Sequence, residues 1–370
     1  MERREFVVYL TSALPAASQQ KVDKATIDQW MKELSNWGRW GKDDQLGTVN
    51  LITPAKRKQA AGLVREGHSV SLARDTDKLK AVDNPSPFAH SMGATGANPA
   101  GGQFSVDTYS VLYHGYAHTH MDSLCHMFYD GKMYNGYSQQ EVGSHGAQKL
   151  AVTAFKNGIL SRGVLIDIPR LRGLKYLEPS TAIYPADLNG WERKAGVKVG
   201  PGDILFIRTG RWSRRAEKGP WNVSANGAGL YASCAKWLRG RDVAMVGSDA
   251  GTDVMPSGVE GVRQPMHQLL LIAMGTPIFD NCDLDCDTVV LVSQRGDGIY
   301  TVSDLSEILG FIRQQKCAVA LWDDSGDQVT LQHLFQEKRW PVLCGCIADL
   351  LIGMGLADIV DQRPIRIAAT

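Results

Sequence analysis

Between Tyr113 and Gly136 the chain reads YHGYAHTHMDSLCHMFYDGKMYNG, and this segment limits the fold more than any other. Six of the nine histidines fall between His90 and His145. His118, His120 and Asp122 occupy alternate positions, so an extended chain turns all three to one side. Single histidines are commonly structural or exposed. Four within thirteen residues, interleaved with an aspartate, are hard to explain in that way. Two imidazoles and a carboxylate are typical ligands of Zn²⁺ or Mn²⁺. Three protein ligands leave room for a water, whose pKa such an ion lowers to make a nucleophile at neutral pH. His126 lies four residues after Asp122, and a helical turn would put both on one face. There it could act as general base. His114, four residues before His118, is a reserve ligand. Spacing leaves the reaction open: an amide, a lactone or an imine could be attacked, and non-haem iron oxygenases also use two histidines and a carboxylate.

The scaffold signals are mixed. Gly163–Ile168, Asp203–Ile207 and Val243–Val246 are short, rich in β-branched residues and bounded by Gly or Pro, as buried strands are. His68–Leu72 and Val106–Tyr113 also read as strands. Helices are expected over Thr26–Ser35, over the KRKQAAGLVREG stretch behind Thr53 and Pro54 and ending near Gly67, and over Gly229–Arg239. The apolar stretches Gln268–Met274 and Cys344–Met354 read as buried helices, and Val142–Asn157 as partly helical. Residues 73–104 read as one long loop. The pattern is α/β with a strand-rich core, and neither a repeat nor a linker divides it.

The formal net charge of +1 gives no footprint for nucleic acid. No run reaches the length of a membrane span. The start MERREFVVYL resembles a signal peptide, but its apolar stretch is short. Seven cysteines at irregular spacing suggest no disulfide scaffold, and Cys344-Gly345-Cys346 has no second pair, so a reducing cytoplasm is expected.

The histidine segment resembles the metal-dependent cyclase or kynurenine formamidase-like hydrolases, which include bacterial arylformamidases and isatin hydrolase. Their motif is His-x-Gly-Thr-His-x-Asp-x-Pro-x-His. This chain has Tyr116, Ala117, His118, Thr119, His120, Met121 and Asp122, then His126. WGKDDQLGTVNLITP at 40–54, with its pair Asp43 and Asp44, VGPGDILFIRTGRW at 199–212 and AMVGSDAGTD at 244–253 resemble further family signatures. The likeness runs from about residue 35 to 285. It implies a swivelling β/β/α-type single domain with a mixed-sheet core over 1–285, including an N-terminal helical arm. A divergent segment, 286–370, would pack on the same domain as an added hairpin and helix pair.

The resemblance also implies a site. Its metal ligands would be His118, His120, Asp122, His267 and Asp280, holding one or two divalent ions, Mn²⁺ or Zn²⁺, with His126 as the catalytic base. Tyr116 stands where the family has its first histidine, so His118 or His114 must compensate. Asp280 stands where the family has a glutamate. The implied reaction is cleavage of a C–N bond in an amide or cyclic amide of a small aromatic substrate by a metal-activated water. The alternatives are a lactone hydrolase, a metal-dependent dehydratase or lyase, and a non-catalytic metal-binding scaffold. Trp37, Trp40, Tyr113, Tyr116, Phe128, Tyr129 and Trp212 are candidate pocket walls, and Arg208 could hold a carboxylate or make a surface salt bridge. The expected partner is a small-molecule substrate, without nucleic acid or membrane, in a homodimer or homotetramer.

Overall fold

The computed structural model describes residues 21–285 apart from 66, 68 and 98–101, and the backbone of three later strands, Val319–Ala320, Ala357–Gln362 and Ile365–Ala369. The chain divides into two compact units, Met1–Leu284 and Asp285–Thr370. In the second unit the three strands pair antiparallel, with Ile365–Ala369 central. The expected Cys344–Met354 helix and the signal-like first ten residues lie outside the described residues.

The first unit is mixed α/β around a mixed sheet. Its labelled strands are β1 (Ala89–Ala94), β2 (Val106–Ser110), β3 (His120–Asp122), β4 (Gly163–Asp167), β5 (Ile204–Arg208), β6 (Met245–Ser248) and β7 (Ile278–Asp280). The core sheet has the order β3-β7-β6-β5-β4. Strands β4 to β7 run parallel, and β3 joins the β7 edge antiparallel. Val164, Ile166, Leu205, Ile207 and Ile278 are buried, and β6 is buried throughout, as continuous apolar runs in a covered parallel sheet should be. At Gly247 a Cβ would sit 2.6 Å from the Phe206 ring, so only glycine lets the neighbouring strand pack there.

Helices cover this sheet. Lys24–Glu33 begins two residues earlier than expected because Asp23 caps it, accepting from the Thr26 N–H at 2.8 Å. It buries Ile27, Trp30 and Met31, one helical stripe. Pro54–Ala61 starts as read, with Thr53 capping the Lys56 N–H at 3.1 Å, but it ends well before Gly67. Cys234–Arg241 takes the place of the expected Gly229 helix, because Gly229–Leu230 pairs as a short strand with Ala182–Ile183. A helical turn, Pro265–His267, continues as a π-helix, Gln268–Met274, with Leu269–Met274 all buried. No described helix is long and apolar enough to cross a membrane.

Two local expectations fail. Residues 69–72 form no strand; the Leu72 carbonyl instead accepts from the Asp283 N–H at 2.8 Å. The loop expected over 73–104 contains β1, which pairs antiparallel with β2 across a bulge between Met92 and Ala94. Both strands are exposed almost throughout, so no apolar alternation marks β1 in the sequence.

Ile207, 1% exposed in a central strand, and Leu165, 45% exposed at the sheet edge, give a direct contrast. Ile207→Ala should cost about 2–5 kcal/mol in urea unfolding. Leu165→Ala should cost less than about 1 kcal/mol.

Candidate metal centre

The pairing of β3 with β7 builds the site. Its register sets His120 against Asp280, Met121 against Phe279 and Asp122 against Ile278. Directly opposed residues share a face of the pleat, so His120, Asp122 and Asp280 collect on one side. All three are buried, and their donor atoms lie within 4.8 Å of one another. The position is the carboxyl end of the parallel strands, where open α/β sheets place ligands.

His267 enters from the helical turn Pro265–His267 that precedes the π-helix. Its Nε2 lies 3.5 Å from Asp122 Oδ2 and 3.4 Å from Asp280 Oδ2. Its Nδ1 is held by Asp253 Oδ2 at 2.6 Å. Asp253 also accepts from the Met266 N–H at 2.7 Å and the His267 N–H at 3.1 Å, so it caps the helix that carries the histidine. Thr252 donates to Asp280 Oδ1 at 3.0 Å. His120 engages the His118 carbonyl through Nδ1 at 2.8 Å, leaving Nε2 3.5 Å from Asp122 Oδ1. In both imidazoles one nitrogen is fixed to oxygen and the other faces the carboxylates, the usual arrangement behind metal-bound histidine.

A second donor group shares Asp122. His114, Asp122 and His126 also offer donor atoms within 4.8 Å of one another. His114 Nδ1 is 2.8 Å from Asp122 Oδ1, and His126 Nε2 is 3.8 Å from Asp122 Oδ2. The two rings stack with centroids 3.9 Å apart. A non-helical turn, in place of the helical one expected, follows Asp122, with the His126 N–H donating to the Ser123 carbonyl at 3.0 Å.

The structure does not bring His118 into either group. Regular strand begins only at His120, so the alternation read from His118 is broken. The His118 carbonyl binds His120 and Asn281, and its ring meets Phe88 edge-on with centroids 6.5 Å apart. Both of its ring nitrogens are buried without a hydrogen-bond partner among the described residues. Tyr116, at the family's histidine position, packs its ring on Gly251 and gives its carbonyl to Arg211.

A cleft of about 120 Å³ opens beside these donors. Asp83, Pro85, Leu112, His114, Tyr116 and Val223 are among its walls. Of the aromatic candidates, Tyr116 lines it, and Tyr113 sets its edge against His114 and His120, 5.0 and 5.6 Å between centroids. Trp212, Trp37 and Tyr129 spend their polar atoms on Cys282, Ile272 and Asp28. Arg208 pairs with Asp167 at 3.0 Å. Asp44 of the acidic pair bonds the Gly47 N–H and the Tyr134 hydroxyl, a structural use.

Sequence reasoning missed the roles of Asp253 and Asn281. Asp253 closes the signature AMVGSDAGTD, and Asn281 follows Asp280 directly. Each sits beside a candidate donor, but the contact that uses it spans more than ten residues of chain.

The charges are strongly coupled. Burial alone would raise the Asp122 carboxyl, yet His114, His120 and His267 hold it far below the usual range. Burial would lower His267, but Asp122, Asp253 and Asp280 keep it well above the ordinary value. His120 is likewise raised against burial by Asp122 and Asp280. His126 is pushed down to about 4 by burial, with Asp122 opposing. Three buried carboxylates around His120 and His267 invite a cation. Asp122 Oδ1 is itself buried and makes no well-aligned hydrogen bond among the described residues, although imidazole nitrogens stand nearby. A divalent ion with nitrogen and oxygen ligands fits this donor set.

The model of the family described as cyclase matches residues 53–253. A solved structure described as a novel cyclase is 32% identical, covering 68% of this chain and 86% of that one with a TM-score of 0.59. The chain belongs to the cyclase family. Isatin hydrolase A from Ralstonia solanacearum is 20% identical, over 61% of this chain and 83% of that one, with a TM-score of 0.41. Isatin hydrolase A from Labrenzia aggregata is 19% identical, over 58% and 81%, with a TM-score of 0.41. No curated protein gives a significant match. Family membership and the His/Asp donor groups together make this protein a metal-dependent hydrolase.

The opposed shifts of two imidazoles give a pH signature. In chelator-treated protein followed by NMR, the His126 ring should titrate near pH 4, below the ordinary 6.5, so it is neutral at pH 7. The His267 ring should titrate well above the ordinary 6.5, raised by Asp122, Asp253 and Asp280 against burial. Coincident titration of both near 6.5 would refute the electrostatic description.

Proposed function

We propose that the chain hydrolyses a C–N bond in an amide or cyclic amide of a small aromatic compound. The observation that carries the reading is His114. It belongs to a donor group with Asp122 and also forms part of the cleft wall, so a molecule in the cleft lies against the donors. The C–N preference rests on the Thr119, His120, Asp122 and His126 motif and its resemblance to arylformamidases and isatin hydrolase.

His120, Asp122, Asp280 and His267 would hold a divalent ion, Mn²⁺ or Zn²⁺, and His114 with the shared Asp122 could accommodate a second. Such an ion supplies Lewis acidity, polarising a carbonyl and lowering the pKa of water. Asp253 and Thr252 orient His267 and Asp280 from behind. His126, a neutral imidazole 3.8 Å from Asp122, accepts the proton of the attacking water and returns one to the leaving nitrogen. Tyr116 and Tyr113 offer faces and edges for a flat substrate. The swivelling β/β/α arrangement, a homodimer or homotetramer and a cytoplasmic setting belong to the same proposal.

Ligation and proton transfer separate by mutation. His120→Ala should lose bound metal in elemental analysis together with activity on aryl formamides or isatin-like amides. His126→Ala should keep its metal and lose turnover by about 10²–10⁴-fold. Loss of one metal equivalent from His126→Ala would make His126 a ligand instead. Turnover of small lactones with inert amides would overturn the C–N assignment.

A further inference from the structure

The buried guanidinium of Arg211 has no part in the chemistry above, and it sits behind the histidine segment. Arg211 opens the helix Arg211–Lys218 and is 2% exposed. A cation at that depth is costly unless its partners satisfy it. Nη1 donates to Asn281 Oδ1 at 2.5 Å, and Nη2 donates to the Tyr116 carbonyl and lies 3.4 Å from Asp83 Oδ2. Trp212 lies 4.1 Å beneath the guanidinium. Asp249 fixes the start of the helix by accepting from the Thr209, Gly210 and Arg211 N–H groups. Gly210 has φ +77°, and a Cβ there would come within 2.8 Å of Tyr176, so the turn that aims Arg211 needs glycine.

Asn281 continues the chain of contacts. Because Arg211 takes its Oδ1, its Nδ2 must face the other way, and it donates to the carbonyls of Gly115 at 2.8 Å and His118 at 3.1 Å. The His118 carbonyl is the one that holds Nδ1 of His120. Thr119 adds a bond from its hydroxyl to the Asn281 carbonyl at 2.7 Å. Three carbonyls of the 115–118 turn are thereby drawn to one side, and Nε2 of His120 is left toward Asp122.

We propose that Arg211 and Asn281 are a positioning pair, which sets metal affinity by fixing the 115–118 turn and through it the orientation of His120. Neither touches the ion. The inference rests on the reading of His120 as a ligand. Asn281→Asp is the informative change. It preserves the partner of Arg211 and turns a carboxylate oxygen, instead of an N–H donor, toward the Gly115 and His118 carbonyls. Arg211→Lys keeps the cation but loses the fork that reaches Asn281 and Tyr116 together.

The test is titration of full-length protein with Mn²⁺ by calorimetry and with Co²⁺ by visible absorption, beside thermal unfolding in chelator. Asn281→Asp and Arg211→Lys should each weaken Mn²⁺ binding about 10–100-fold and shift the Co²⁺ bands. Chelated Tm should stay within a few degrees of wild type in at least one of them. Affinity within twofold of wild type in a folded variant would overturn the proposal. So would loss of binding only in parallel with collapse of the chelated Tm in both variants. His120→Ala separates the two levels. If it binds Mn²⁺ as wild type does, the ligand reading fails. If it loses binding while both positioning variants retain it, only this inference fails.

Discussion

The antiparallel pairing of His120–Asp122 with Ile278–Asp280 is the constraint on which the site depends. Three residues of ladder place a histidine against an aspartate and a second aspartate two residues away on the same face. A slip of one residue would turn Asp280 to the opposite face, because side chains alternate along a strand. That register is held outside the ladder as well as within it. Thr119 binds the Asn281 carbonyl, and Asn281 binds back to Gly115 and His118, so side-chain bonds tie the residues flanking both strands. Strand β3 is short and at an edge, where backbone pairing alone specifies little, and these bonds supply what its length cannot.

Electrostatics follow from that geometry. Asp122 is reached by His114, His120, His126 and His267 and is common to both donor groups. Carboxylates gathered in a buried place would repel one another and be driven to protonate. Imidazoles between them prevent this, and a divalent cation would do so more completely. The second ring of partners, Asp253 behind His267 and the His118 carbonyl behind His120, decides which nitrogen each imidazole presents.

Much of this was legible in the sequence. The alternation of His120 and Asp122 and the buried strands at 163, 203 and 243 follow from local periodicity, which a short window captures. His267 and Asp280 came from family resemblance, because each meets the histidine segment only through contacts far apart in the chain. His118 was read as sharing a strand face with His120, but regular strand starts at His120 and His118 falls in neither donor group. His114 was only a reserve by spacing, yet its ring reaches Asp122 at 2.8 Å because the chain folds back before the strand. Of the exposed pair, β2 was read as part of Val106–Tyr113, whereas β1 left no pattern, since neither of its faces is buried. Arg211 carried no signal either, because a single arginine at a helix start is usually solvated and its burial is set by residues 83, 116 and 281.

The central claim is that one carboxylate serves both donor groups, and Asp122→Asn tests it most directly. The substitution keeps the shape of the side chain and removes its charge. Mn²⁺ titration of the purified variant, followed by elemental analysis, should find no tightly bound ion in either group. An ion still bound with wild-type affinity would contradict the shared centre.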